Sequence, residues 1–374
     1  MDVNKLGSVE VRIMQIMSEL KDFQRATVQY LFENLLASRD NHQHDRMLVA
    51  DEVGLGKTLV AKGVIALLYR EFLKKEATHF NVIYICSNQG IASQNLSKLT
   101  ILEDDGSDNI SATRLTMLVV RDRNEKAFLN LISLTPETSF KIVQGEGMLW
   151  ERIVLYVILV ERPDLTNYDE YLTRHLRRFV EKENWTRHLA WGKENYPRRL
   201  DRVIVQRFHA MLDADQEFMA LFKALILEID HDDIIDPSER NLFRLKMIRA
   251  IGHLRQILAQ ACVEGLQPDL VIMDEFQRFK ELLPKTNPED QLNEIGQLTQ
   301  KLFSTPKLMI LLLSATPYKL YATTQEVADG ENHLDEFLQV LEFLCNDPKE
   351  YQCLKERWSH YSNSLLDLSM GDFN

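Results

Sequence analysis

Apolar positions recur with two different periods along this chain, and the alternation between them sets its organisation. From Val9 to Leu20 the apolar residues Val9, Ile13, Ile16, Met17 and Leu20 share one helical face, and a second helix is expected over Ala26 to Ala37. Ser38 to Arg46 is polar and reads as a loop. Met47 to Ala50, Phe80 to Cys86 and Leu115 to Val120 are short apolar runs expected to be strands, with helices expected over Leu59 to Leu68 and Ile91 to Leu99. Leu102 to Ser111 is acidic and reads as a surface loop. Alternating strands and helices are the signature of a parallel sheet covered on both faces.

The pattern changes after Phe140. Residues 141–260 are charged and mostly helical in period, broken at Pro163, Pro197 and Pro237, with Ile153 to Val160 fitting a buried helix or a strand equally well. The α/β pattern resumes at Asp269 to Glu275 and again at Lys307 to Leu313, and Gln325 to Asn374 looks helical. The expected architecture is one α/β lobe in two parts, 1–140 and 261–325, interrupted by a helical insertion over 141–260 and followed by a helical tail over 326–374.

Composition narrows the class. At 45% hydrophobic and 27% charged residues the chain is globular in type, and its apolar runs are too short to span a bilayer. Cys86, Cys262, Cys345 and Cys353 lack metal-ligand spacing, which points to reduced thiols and a cytoplasmic setting. A net charge of −12 argues against coating nucleic acid non-specifically but leaves room for a local basic track. Arg174 to Arg207 holds ten Lys/Arg against four acids, with Trp185, Trp191 and Tyr196 interleaved. Such a stretch can follow a phosphate backbone and stack bases, or be a solvated helical face over core tryptophans.

The candidate chemistry begins at Asp51-Glu52-Val53-Gly54-Leu55-Gly56-Lys57-Thr58, set between an expected strand and an expected helix. Backbone N–H groups of such a turn, with the positive end of the following helix, make an anion cradle. Lys57 would reach the β- and γ-phosphates and the Thr58 hydroxyl would meet Mg²⁺. Asp51 stands where the general phosphate-loop pattern has its first glycine. Asp274-Glu275 follows the strand Leu270 to Met273. There Asp274 can hold the Mg²⁺ that bridges the β- and γ-phosphates, and Glu275 can orient or deprotonate a water.

Phe23-Gln24, DEVGLGKT, the strand VIYICSNQ with IASQN, SLTPETSF, VIMDEFQRF and LLLSATP occur in that order. Together they resemble the first RecA-like, ATP-binding lobe of superfamily 2 helicases and Swi/Snf-like DNA translocases, over roughly residues 20–140 and 265–320. The resemblance implies ATP and Mg²⁺ as cofactors, nucleic acid (double-stranded DNA above all) as partner, and ATP hydrolysis as the reaction. It implies that Gln24 reads adenine and that Ser87, Asn88, Gln94 and Thr135 position a nucleic-acid backbone. It further implies that Gln277, Ser314 and Thr316 couple the two sites. Gln277 stands where many members have Asp or His. Family members complete the ATP site with arginines from a second lobe, and the stretch after Thr316 is too short for one. The expectation is therefore a fragment or split subunit, akin to motors of restriction or phage-defence systems, with weak hydrolysis until a second lobe is supplied. The rival expectation is a non-motor P-loop switch or scaffold whose helical insertion binds a protein.

Overall fold

The computed structural model describes residues 3–41, 45–102, 107–111, 114–120, 127–140, 145–227, 236–283, 294–315 and 333–369. Its centre is an all-parallel sheet of β1 (Arg46–Ala50), β2 (Phe80–Ile85), β3 (Ser107–Ser111), β4 (Leu129–Leu134), β5 (Leu270–Asp274) and β6 (Met309–Ser314). The order is β1-β6-β5-β2-β4-β3, so five strands form the body and β3 extends one edge. Parallel neighbours need crossovers, and helices Lys57–Lys74, Gln89–Leu99 and Glu294–Phe303 lie between successive strands.

The strands read as unbroken apolar runs because both faces are buried. Val82 and Tyr84 of β2, Leu270 and Ile272 of β5, and Leu311 and Leu313 of β6 join one core with the helices Val3–Glu19, Asp22–Asn41, Lys57–Lys74 and Gln89–Leu99. Ile83, Ile85, Val271, Met273, Ile310 and Leu312 point the other way, into a second core. That second core is filled by the helical region between β4 and β5, whose helices are Leu149–Val160, Asp169–Arg177, Lys182–Asn195, Arg202–Ala214, Gln216–Leu227 and Pro237–Leu266. The helical stretch is thus the cover of one sheet face, sharing a single core with it.

Three local expectations resolve or change. Ile153 to Val160 belongs to the helix Leu149–Val160, with Ile153 to Leu159 all buried, so its lack of a polar stripe reflects burial on every side. Leu115 to Val120, expected as a strand, is a 3₁₀ helix over Leu115–Val119 packed against Pro237–Leu266. Its apolar residues cover a helix and join no ladder, apart from one antiparallel bridge between Val120 and Leu200. Within the expected loop Leu102 to Ser111, residues Ser107–Ser111 pair with β4. An edge strand needs little apolar side chain, which is why composition hid it. No helix among the described residues is long and apolar enough to cross a membrane.

Candidate functional site

The carboxyl ends of the strands lie level along one edge of the sheet. Ala50 is in register with Ser314, Leu313 with Asp274, Met273 with Ile85, and Ile85 with Leu134. Five of the segments singled out from sequence leave from this edge: the loop 51–56 after β1, Ser314 at the end of β6, Asp274-Glu275 at the end of β5, Ser87-Asn88 after β2 and Thr135 after β4. In an open parallel sheet this is the edge where ligands bind. Because β6 separates β1 from β5, the loop and Asp274 stand about two strand spacings apart, on the order of 10 Å.

The loop is built on two glycines. Gly54 and Gly56 have φ of +87° and +82°, a conformation L side chains rarely adopt, and Gly56 caps the helix Lys57–Lys74. The Lys57 ammonium folds back under the loop and donates to the carbonyls of Asp51 (2.8 Å) and Glu52 (3.0 Å). The loop crest is open to solvent, with Val53 84% exposed. Gln24, only 4% exposed, braces the loop from below. Its Nε2 donates to the Leu55 carbonyl (2.8 Å) and its Oε1 accepts from the Lys21 N–H (2.9 Å). One N–H and one lone pair of its carboxamide remain.

Asp274 ends β5 with Glu275 beside it. The Tyr84 hydroxyl donates to Asp274 Oδ2, and Asn95 Nδ2 donates to the Tyr84 oxygen (2.7 Å) while standing 3.5 Å from the same carboxylate oxygen. Burial, reinforced by the neighbouring Asp274 charge, pushes the Tyr84 hydroxyl far up, so it stays a donor. Burial likewise lifts the Cys86 thiol to about 11, keeping it neutral beside the two carboxylates. Glu275 sits at φ +54°, unusual for a non-glycine residue, and its N–H bonds the Leu313 carbonyl (2.9 Å). Its carboxylate pairs with Arg278 at 2.8 Å. Tyr84 and Asn95 went unassigned in the sequence reading. The available signal was positional: Tyr84 and Asp274 fall on the same sheet face once β2 and β5 are known to be neighbours.

The remaining positions spread along the same edge. Asn88 caps the helix Gln89–Leu99 by accepting from the Gly90 N–H (2.7 Å), Ser87 is half-buried, and Gln94 is exposed. Thr135 is buried, its N–H bonded to Ser139 Oγ (3.3 Å) and its carbonyl accepting from the Ser139 N–H (2.9 Å). Gln277 Oε1 is buried with no hydrogen-bond partner among the described residues, and Ser314 is fully buried. Thr316 lies outside the described residues. No cluster of three or more His, Cys, Asp or Glu suited to a metal occurs among the described residues.

Part of the basic stretch fits the second of its two readings. Trp185 and Tyr196 are buried and only Trp191 is exposed. Arg178 pairs with Glu146, Arg202 with Glu161, Arg207 with Glu264 and Lys193 with Asp169. Arg198 and Arg199 line a cleft of about 600 Å³ with Thr78, Asn130 and Gln267, at the strand starts and at the far edge of the sheet from the loop 51–56. A second cleft, about 760 Å³, lies within the helical layer between Gln216–Leu227 and Pro237–Leu266. No family model and no curated protein matches this chain.

Proposed function

We propose that this chain is the ATP-binding motor lobe of a nucleic-acid-dependent ATPase, a helicase or double-stranded-DNA translocase of the superfamily 2 type. The observation that carries the reading is the shared strand edge: the loop with Lys57 folded into it, Ser314, Asp274-Glu275, Asn88 and Thr135 all lie along it in strand order. Nucleotide-side residues gather at β1, β6 and β5, and the candidate nucleic-acid side at β2 and β4. The order with β6 between β1 and β5 also suits a RecA-like lobe.

Each residue then has a task. On binding ATP, Lys57 exchanges the Asp51 and Glu52 carbonyls for β- and γ-phosphate oxygens, and the N–H groups of the loop and first helical turn hold the phosphate chain. Gln24 turns its free carboxamide capacity toward adenine. Thr58 and Asp274 are both oxygen donors and fit Mg²⁺, which uses one or two protein ligands and completes its shell with phosphate and water. Held there, Mg²⁺ would supply charge neutralisation to the phosphates. Glu275, released from Arg278, takes a proton from the attacking water as its oxygen bonds the γ-phosphorus and the bond to ADP breaks. A second RecA-like lobe, in the same protein or a partner chain, would add the arginines that speed this step.

Titration of a fluorescent ATP analogue with Mg²⁺ tests the reading. The chain should bind it, and Lys57→Ala should weaken binding about 10- to 100-fold, from the loss of charge-assisted bonds worth about 1.5–3 kcal/mol. A folded chain that binds no nucleotide overturns the proposal. Three exposed leucines of the helical layer, Leu221, Leu242 and Leu245, favour a second reading in which that layer docks a protein and the ATP site is a switch. Stimulation of ATP hydrolysis by duplex DNA, with the second lobe supplied, belongs to the motor alone.

A further inference from the structure

We infer that Tyr84 and Asn95 are positioning residues that orient the Asp274 carboxylate for its cation. The inference rests on the nucleotide-site reading above. Tyr84 on β2 is in register with Ile272 on β5, and Asp274 lies two residues beyond Ile272, on the same face of the sheet. Tyr84 is therefore the diagonal neighbour of Asp274, and a tyrosine ring is long enough to span that diagonal.

The donor arithmetic leaves one arrangement. Asn95 Nδ2 can only donate, so the Tyr84 oxygen accepts from it at 2.7 Å and spends its single proton on Asp274 Oδ2. The weaker Asn95 approach, at 3.5 Å, also falls on Oδ2. Both contacts thus grip one carboxylate oxygen and leave Oδ1 to face a cation. The grip is rigid, since Tyr84 is fully buried and Asn95 nearly so, and neither polar group could be left unpaired without cost. Asn95 also lies in the helix Gln89–Leu99, beside exposed Gln94 and about two turns beyond the Asn88 cap. The carboxylate is therefore set by the helix that carries the candidate nucleic-acid contacts.

Outer-shell partners of a metal-binding carboxylate typically change metal affinity about 10- to 100-fold when removed. Binding of the fluorescent ATP analogue to the full chain, measured in EDTA and across a Mg²⁺ titration, reads this without turnover. Tyr84→Phe deletes only the hydroxyl, and Asn95→Ala removes the second donor. In EDTA both variants should bind within about twofold of wild type. The Mg²⁺ concentration for half-maximal enhancement should rise about 10-fold in Tyr84→Phe, in Asn95→Ala or in both, while Asp274→Ala should show no enhancement at all. Folded variants with unchanged Mg²⁺ dependence overturn the positioning role while leaving the ATP site intact. A wild-type chain that binds no nucleotide overturns the ATP site and this role together. A general packing defect would lower binding equally in EDTA and in Mg²⁺, and that result too counts against positioning.

Discussion

Removing the Arg255 guanidinium should destabilise this protein more than deleting most core methyl groups. Glu151 and Arg255 are 1% and 2% exposed, buried where the helices Leu149–Val160 and Pro237–Leu266 approach each other. Arg255 donates to Glu151 Oε1 through Nε (3.2 Å) and Nη2 (2.9 Å), and through Nη1 to the Gly145 carbonyl (3.1 Å). Arg255→Met fills the volume but leaves a buried carboxylate without its main counter-charge. Breaking such a pair costs about 3–5 kcal/mol. Glu151 would retain the Thr116 hydroxyl (2.7 Å), the Met148 N–H (2.7 Å) and Arg114 at 3.6 Å, which puts the expectation near the lower end, at about 3 kcal/mol. Glu151→Gln should cost about 2–3 kcal/mol, because Arg255 would remain charged near Arg152. With both charges gone, the double variant should cost about 2 kcal/mol less than the two single costs added together. Urea unfolding followed by tryptophan fluorescence, with Trp150 beside Glu151, measures all four corners of this cycle. Strict additivity, or an Arg255→Met variant within about 1 kcal/mol of wild type, would refute the account of the pair.

The two loop glycines should respond differently to alanine. A Cβ on Gly54 meets nothing within 4 Å, so Gly54→Ala carries only the backbone penalty, about 1 kcal/mol, whereas a Cβ on Gly56 falls 2.6 Å from Gln24 Nε2. Gly56→Ala should therefore also break the Gln24 brace and weaken nucleotide binding at least about 10-fold more than Gly54→Ala does; equal effects would contradict the brace. His209 gives a pH signature. Burial lowers its pKa below the ordinary 6.5, with Nε2 bonded to the Ile158 carbonyl at 3.0 Å. The unfolded chain takes up this proton first, so the contribution is full above pH 6.5 and is lost as pH falls through the lower folded value. His209→Gln should flatten the fall in unfolding free energy between neutral and mildly acidic pH, and an unchanged slope would assign the acid sensitivity elsewhere.

What the sequence determined by itself was local. Runs such as Phe80–Ile85 and Met309–Ser314 are apolar at nearly every position, which two-sided burial in a parallel sheet demands, and a glycine-bearing turn before an apolar run marks a helix start. Asp51, Asp274 and Glu275 stand at strand ends and Lys57 opens the helix after the glycine turn, placements that the local pattern gives without tertiary information. Tertiary structure decided whatever depends on which elements are neighbours. The run Leu115 to Val119 became a 3₁₀ helix because a helix, and no strand, lay against it. The strand order put β6 between the loop 51–56 and Asp274, parity across the β2–β5 register brought Tyr84 onto that carboxylate, and Asn95 reached it from the helix Gln89–Leu99. Four cations of the basic stretch met carboxylates from outside it, Glu146, Asp169, Glu161 and Glu264, which only the fold brings near. Periodicity records how much of a side chain is buried, while register and packing choose its partners, and only the folded chain fixes those.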